Sequence, residues 1–346
     1  MYFPSRLVST AFLTTALGSV ARRNNTCLAT ASRMLTTNPI GLGTYGIPPE
    51  KAGEAIQSAI AIGYRRIDCA PVYFNEDKIG DALAEVIGKG VVSRDQLFIV
   101  SKLASPFHRR EHVKIGLKKT LTDLRLDYLD LFLIHWPQAF QFVDIDPEKL
   151  GYDNEDIDDS DLGKKIDLSV SVHETWSAME DLVDEGLVKS IGVSNFPVSL
   201  LHELMTRCRI PPAVNQVEAH PYLQQTKLLM YCQKRGVHFQ AYSPLGTPGY
   251  KGKGEPSILE DPLLKQIAAS HNVSVANICI AWAIQRGSSV VVKSESRERQ
   301  AENWRVQENP IELTFAEMEQ IASLERGYRF FRPEDWWGEM AMAVFD

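Results

Sequence analysis

From residue 40 onward, short apolar runs rich in valine and isoleucine alternate with longer stretches whose apolar residues recur at helical spacing. The short runs are Ile40–Tyr45, Arg66–Cys69, Leu97–Ser101, Tyr128–His135, Ser190–Ser194, Ala213–Val217, His238–Tyr242 and Ser289–Val292, and each predicts a strand. Among the longer stretches, Glu50–Ile62 sets Ala55, Ile56, Ala59 and Ile60 on one face. Val113–Leu124 does the same with Ile115, Leu117, Leu121 and Leu124, and Ser171–Glu185 with Trp176, Met179, Leu182 and Val183. Further helices are predicted at Val198–Met205, Thr226–Arg235, Leu263–His271, Val275–Gln285, Arg297–Asn303 and Thr314–Leu324. Gly63, Gly186 and Gly236 stand where C-terminal caps are wanted, and Asn272-Val273-Ser274 offers capping groups before a helix. Strand–helix alternation implies a parallel sheet covered by helices. Eight alternations suit a single-domain α/β fold, a closed (β/α)8 TIM barrel, better than an open sheet. A doubly wound sheet is the runner-up, but it wants a G-x-G-x-x-G turn after a strand, and Gly41-Leu42-Gly43-Thr44-Tyr45-Gly46 has the wrong spacing.

Composition bounds this picture. The chain has 346 residues, 44% hydrophobic and 23% charged, which excludes a disordered chain. Its formal charge of −7 argues against a dedicated nucleic-acid binder. No apolar run reaches the roughly 18 residues that span a bilayer. Five scattered cysteines without a C-x-x-C pair form neither a disulfide framework nor a zinc site, so no metal is expected. The charge is uneven. Residues 1–49 hold no Asp or Glu, but they carry Arg6, Arg22, Arg23 and Arg33 among many Ser and Thr. That is the composition of a mitochondrial presequence. A secretory signal (Leu7–Val20, then Ser19-Val20-Ala21) and a start at Met34 are the other readings. Residues 1–33 are therefore set apart as a leader and 34–346 taken as the barrel, in a cytoplasmic protein with a mitochondrial location as the close alternative. Residues 138–168 hold ten acids against three lysines, which reads as a solvated surface loop. A calcium site there lacks the mid-loop Gly and terminal Glu of an EF-hand.

In such a barrel the active site lies at the C-terminal ends of the strands. Polar residues collect there: Asp68 with Tyr73 beyond it, Ser101-Lys102, His135-Trp136-Pro137, Ser194-Asn195, Asn215-Gln216 with Glu218, Tyr242-Ser243 and Lys293-Ser294. Each has a dull explanation alone; their convergence on one mouth does not. A free tyrosine, with a pKa of about 10, is a poor proton donor near neutrality. A neighbouring ammonium lowers that pKa, and a carboxylate holds the ammonium. A histidine can donate to the substrate oxygen. Asp68, Tyr73, Lys102 and His135 thus suggest acid catalysis on a carbonyl. A Schiff-base enzyme using Lys102 competes with this reading.

These residues lie in segments that strongly resemble the aldo-keto reductases of the aldose and aldehyde reductase type. The matching segments include Gly63-Tyr64-Arg65-Arg66-Ile67-Asp68-Cys69-Ala70, Tyr73-Phe74-Asn75-Glu76, Ile99-Val100-Ser101-Lys102-Leu103, Leu133-Ile134-His135-Trp136-Pro137, Gly192-Val193-Ser194-Asn195-Phe196, Asn215-Gln216-Val217-Glu218, Ala241-Tyr242-Ser243-Pro244-Leu245-Gly246 and Arg299-Gln300-Ala301-Glu302-Asn303. The resemblance implies NADPH-dependent reduction of aldehydes, ketones or aldoses, with NADH use allowed. It makes Asp68, Tyr73, Lys102 and His135 a catalytic tetrad, Tyr73 giving the proton. It implies cofactor contacts from Gly43, Thr44 and Asp68; from Ser194, Asn195 and Gln216 to the carboxamide; from Tyr242 to the nicotinamide ring; and from Ser243 and Leu245 along the pyrophosphate. Lys293, Ser294 and Arg299 would hold the 2′-phosphate, with Glu302 and Asn303 near the adenine. Tyr45, His135 and Trp136 would meet a small carbonyl substrate. A cofactor-binding regulatory protein on the same barrel is the other function this allows. The expected partner is that substrate alone, with neither nucleic acid nor membrane, in a monomer or weak dimer. Three departures from the family pattern matter: Tyr45 replaces a Trp, Val292 replaces a Pro, and Glu295 follows Lys293-Ser294, where an acid opposes a 2′-phosphate. Little chain after Met34 is left to close the barrel floor. The tail Gly327–Asp346, with Tyr328, Phe330, Phe331, Trp336 and Trp337, corresponds to the family's substrate loop.

Overall fold

The structure, a computed structural model, describes residues 34–142, 166–249, 254–333 and 344–345. The leader, most of the acidic stretch with its calcium alternative, and Trp336 and Trp337 lie outside the described residues. Eight parallel strands close into a barrel in chain order. They are β1 Ile40–Gly43, β2 Arg66–Asp68, β3 Phe98–Leu103, β4 Leu131–Ile134, β5 Ile191–Ser194, β6 Val214–Glu218, β7 His238–Tyr242 and β8 Ser289–Lys293. Closure is made where β1 pairs β8, with Gly43 opposite Lys293. The open doubly wound sheet is thereby excluded.

The helices are α1 Pro49–Ile62, α2 Glu76–Gly88, α3 Arg110–Leu124, α4 Val172–Asp184, α5 Val198–Arg207, α6 Thr226–Arg235, α7 Pro262–His271, α8 Val275–Gln285, α9 Arg297–Glu308 and α10 Phe315–Ala322. Their buried stripes meet the outward strand residues in one continuous apolar core. The stops and starts obey local chemistry. Asn272 ends α7 in the left-handed region at φ 54°, and Ser274 then caps α8 by accepting from the Asn277 N–H. Thr314 and Glu317 form a reciprocal capping box on α10.

Two differences from the sequence pattern are instructive. Helix α2 has a full stripe of Ile79, Ala82, Leu83 and Val86, yet the pattern did not place it. Its charged start and two glycines dilute the apolar signal. Gly80 is needed because a Cβ there would lie 2.0 Å from the Asp123 carbonyl oxygen of α3. In α3 the spacing puts Ile115 on the buried face, but it is 47% exposed. Val113, Gly116, Leu117, Thr120, Leu121 and Leu124 turn inward instead.

The barrel floor is closed by the short stretch before β1. Residues 34–37 make one helical turn. It inserts Leu35, which is fully buried, among Phe98, Val100, Leu131, Leu133, Ala213 and Val214. Among the described residues no single helix is long and apolar enough to cross a membrane.

Candidate active site

Strand order and direction bring the polar strand ends to one mouth. There they line a cavity of about 890 Å³ whose walls are mostly apolar. Gly43, Thr44, Tyr45, Asp68, Tyr73, His135, Trp136, Ser194, Gln216, Tyr242, Ser243, Leu245, Lys293, Ser294, Arg299, Glu302 and Asn303 all lie on it. Lys102 and Asn195 do not. Both are almost completely buried behind the wall and act on it through neighbours.

Lys102 is the hub. Its ammonium has three hydrogens and three acceptors: Asp68 Oδ1 at 2.5 Å, the Cys69 carbonyl oxygen at 2.9 Å and Tyr73 Oη at 3.2 Å. Burial works against its charge, but Asp68 and Tyr73 outweigh burial and hold the ammonium above its ordinary range. The other Asp68 oxygen accepts from Gln216 Nε2 at 2.6 Å. Thr44 fastens the backbone of Asp68, donating from its N–H at 3.1 Å and its hydroxyl at 2.8 Å.

Tyr73 sits on a short 3-10 turn, Pro71–Tyr73, just past β2. Burial pushes its phenol up to about 12, with Lys102 pulling in the opposite direction. The ammonium's pull expected from the sequence is present, but desolvation, which only the fold creates, is larger. His135 follows β4, with its ring 5.7 Å from that of Tyr73. Burial, then Lys102 and His108, drive its pKa well below the ordinary value, so the imidazole is neutral and carries one N–H.

On the far side, Ser194 Oγ donates to the Gln216 carbonyl oxygen at 2.8 Å. Asn195 Nδ2 donates to the His135 carbonyl oxygen at 3.0 Å, and Tyr242 Oη donates to Asn195 Oδ1 at 2.9 Å. Asn195 and Ser243 both hold positive φ, at 65° and 50°, conformations that non-glycine residues rarely adopt. At the cavity's other end Lys293 and Arg299 are exposed cations that form no ion pair among the described residues. Glu295, the unexpected acid beside them, is engaged by Lys51 of α1 at 3.6 Å.

This geometry has counterparts in known proteins. The profile of the Aldo/keto reductase family matches residues 38–326. The chain belongs to the aldo/keto reductase family. As a member it is an oxidoreductase of carbonyl compounds that uses NADPH. It is 44% identical over 295 residues to aldose reductase B of Dictyostelium discoideum, covering 85% of this chain and 91% of that one. It is 40% identical over 315 residues to the NADPH-dependent D-xylose reductase of Candida boidinii, covering 89% and 96%. The crystal structure of a Bombyx mori aldo-keto reductase in complex with NADP superposes with a TM-score of 0.75 at 32% identity, over 86% of this chain and 92% of that one.

Several residues on or behind the cavity carried no role in the sequence reading. Val72, Phe74 and Phe140 line it; Phe331, from the tail read as the substrate loop, lines it as well. Phe331 sets its ring edge-on to Tyr45 at 5.7 Å and to Tyr242 at 5.5 Å. It is held by Glu218, a fully buried carboxylate at the end of β6. Glu218 accepts from the backbone N–H groups of Phe330 at 2.7 Å and Phe331 at 3.1 Å, and it contacts His220 at 2.9 Å. Arg329 lies 3.8 Å from the same carboxylate, with its guanidinium over the Phe345 ring. Phe345 in turn meets Trp136.

Proposed function

We propose that this aldo/keto reductase converts aldehydes and ketones, open-chain sugars among them, to alcohols, with Tyr73 as the general acid. The single observation that carries the assignment is Lys102 bonded at once to Asp68 and to the Tyr73 oxygen at the floor of the cavity. NADPH, when bound, would supply a hydride for the carbonyl carbon. The chain's own residues do the rest. Neutral His135 donates its N–H to the carbonyl oxygen and turns that oxygen toward Tyr73. Tyr73, still a phenol at neutral pH, gives its proton to the same oxygen. The Lys102 ammonium then stabilises the phenolate left behind, and Asp68 keeps that ammonium in place.

The residues fit the dinucleotide at both ends. Lys293, Arg299 and Ser294 offer two exposed cations and a hydroxyl to a 2′-phosphate. Ser194 and Gln216 offer a hydroxyl and an amide to a carboxamide, beside the Tyr242 ring, and Asn195 behind them is bonded to Ser194 and Tyr242. Glu295, drawn to Lys51, leaves NADH as a second, weaker cofactor. Tyr45, Trp136, Phe140 and Phe331 give the substrate end aromatic walls. Such walls accept an aldehyde with an apolar body or the face of a sugar. The names of the Dictyostelium and Candida relatives support sugars.

The Schiff-base alternative requires a neutral lysine. Lys102 has all three ammonium hydrogens engaged and is held protonated, which speaks against it. A purely regulatory barrel would have no use for the complete tetrad. We further assign residues 34–346 to one barrel with its substrate loop and residues 1–33 to a leader. The protein works as a monomer or weak dimer in the cytoplasm, with a mitochondrial location as the alternative, and it engages neither nucleic acid nor membrane.

The test is cofactor oxidation with a panel of aldehydes, ketones and aldoses. In Tyr73→Phe the turnover should fall about 10²–10⁴-fold, the usual worth of a general acid, while NADPH still binds. Undiminished turnover in that variant would refute the assignment.

A further inference from the structure

The barrel interior behind the site holds a row of polar side chains that the reaction does not call for. Gln216 Nε2 donates to Asp68 Oδ2 and also to Gln240 Oε1, each at 2.6 Å. Gln240 Nε2 donates to Ser289 Oγ at 3.3 Å, and His238 Nε2 meets the same oxygen at 2.9 Å. Strand register makes the row inevitable. Gln216 is opposite Gln240 across β6 and β7, and Gln240 is opposite Ser289 across β7 and β8. Gln240 and Ser289 are fully buried.

The row has one direction. Asp68 can only accept, so the nitrogen of the Gln216 amide must face it. The second hydrogen on that nitrogen needs an acceptor inside the barrel, and the Gln240 oxygen is there. The Gln240 nitrogen must then face the other way, where Ser289 accepts. With both hydrogens engaged inside the barrel, the Gln216 oxygen is left for the cavity, which Gln216 lines. An acceptor at that point suits the N–H of a carboxamide.

We propose that Gln240, backed by Ser289 and His238, is a positioning residue that locks the Gln216 amide in the one orientation serving both Asp68 and the nicotinamide carboxamide. The inference rests on the assignment of Gln216 to the cofactor. Without Gln240 the second hydrogen on the Gln216 nitrogen loses its acceptor inside the barrel, Asp68 alone holds the amide, and the carboxamide meets a looser acceptor.

The experiment measures dissociation constants for NADPH, by quenching of tryptophan fluorescence, together with kcat and the aldehyde KM. In Gln240→Leu we expect NADPH to bind about five- to tenfold more weakly, the scale of one hydrogen bond. The value of kcat should fall while the aldehyde KM holds. The 3-acetylpyridine analogue of the cofactor carries a ketone in place of the carboxamide and has no N–H for Gln216. Wild type and Gln240→Leu should bind it within about twofold of each other. Equal weakening for both cofactors, or a lower melting temperature with unchanged NADPH affinity, would show Gln240 to be a packing residue and overturn the inference. If Gln240→Leu does not fold, Ser289→Ala carries the test with the same pair of cofactors. There an NADPH affinity equal to wild type overturns the proposal. Gln216→Ala separates the two levels: unchanged NADPH binding in that variant would remove the assignment on which the inference stands.

Discussion

At the residue scale the buried acids behave differently according to what meets them. Asp68 faces an ammonium, whereas Glu76 faces two hydroxyls, Ser101 at 2.6 Å and Thr120 at 3.1 Å. Nearby Lys119 is already paired with Asp123. Burial pushes the Glu76 carboxyl up to about 8 from an ordinary 4.5. A raised acid binds its proton more tightly in the folded chain than in the unfolded one. Its contribution is therefore fully present below pH 4.5 and is lost as pH rises to about 8. Glu76→Gln removes this slope. The variant's stability relative to wild type should rise by a few kcal/mol, at about 1.4 kcal/mol per pKa unit, between pH 5 and 8.5. Thermal unfolding across that range decides the matter; parallel curves for the two proteins would contradict it. Nothing in the sequence hints at this, because Glu76 lies in a charged run that looks solvated and only the packing of α2 and α3 against β3 buries it.

At the element scale the alternation of strands and helices was readable because both faces of every strand are buried, one under helices and one in the barrel. Apolar runs mark such strands well. The same geometry hides the function of their polar members. Gln240 within His238–Tyr242 looks like a solvent-facing residue of a half-exposed strand, yet it points into the barrel, where the chain's own polar atoms replace water. The tetrad was legible because its members fall at strand ends, whereas the Glu218 clamp depends on a loop over a hundred residues away. That clamp predicts a selective defect. Glu218→Gln replaces one accepting oxygen by a donor, so one of the two N–H groups at Phe330 and Phe331 loses its partner, at a cost of about 1–3 kcal/mol locally. The loop should loosen around Phe331. We expect kcat/KM for a bulky aromatic aldehyde to drop about tenfold, while that for propanal, which has no aromatic body for the Phe331 wall to hold, stays near wild type. An equal loss for both aldehydes would mean that the clamp supports the barrel rather than the pocket wall.

At the scale of the whole molecule the cleft runs from Asp68 and Tyr73 to Lys293 and Arg299, so one cofactor lying along it would tie β2, β6, β7, β8 and α9 together. A ligand that binds only the folded chain stabilises it by about 2.7 kcal/mol at one hundred times its dissociation constant. NADPH should therefore raise the melting temperature by several degrees, and NADH at equal concentration by less. Arg299→Ala should narrow the gap between the two cofactors without touching the effect of NADH, because only NADPH carries the 2′-phosphate. A thermal-shift series with both cofactors reads this directly. A gap that survives Arg299→Ala would move the phosphate elsewhere.

The placement of the thiols has a consequence for an enzyme that handles aldehydes. Unsaturated aldehydes alkylate thiolates, so a reductase is exposed to damage by its own substrates. Among the described residues no cysteine lines the cavity. Cys69, next to Asp68, is buried and its thiol is held well above its ordinary range by burial, as are Cys232 and Cys279, at about 12. A thiol that stays protonated is a poor nucleophile. Incubation with an enal in the absence of cofactor should leave the activity intact, with mass spectrometry finding the first adduct among the four described cysteines on half-exposed Cys208. Adduct on Cys69 with loss of turnover would contradict this. The barrel wall that buries Lys102 thus also covers the thiol beside Asp68.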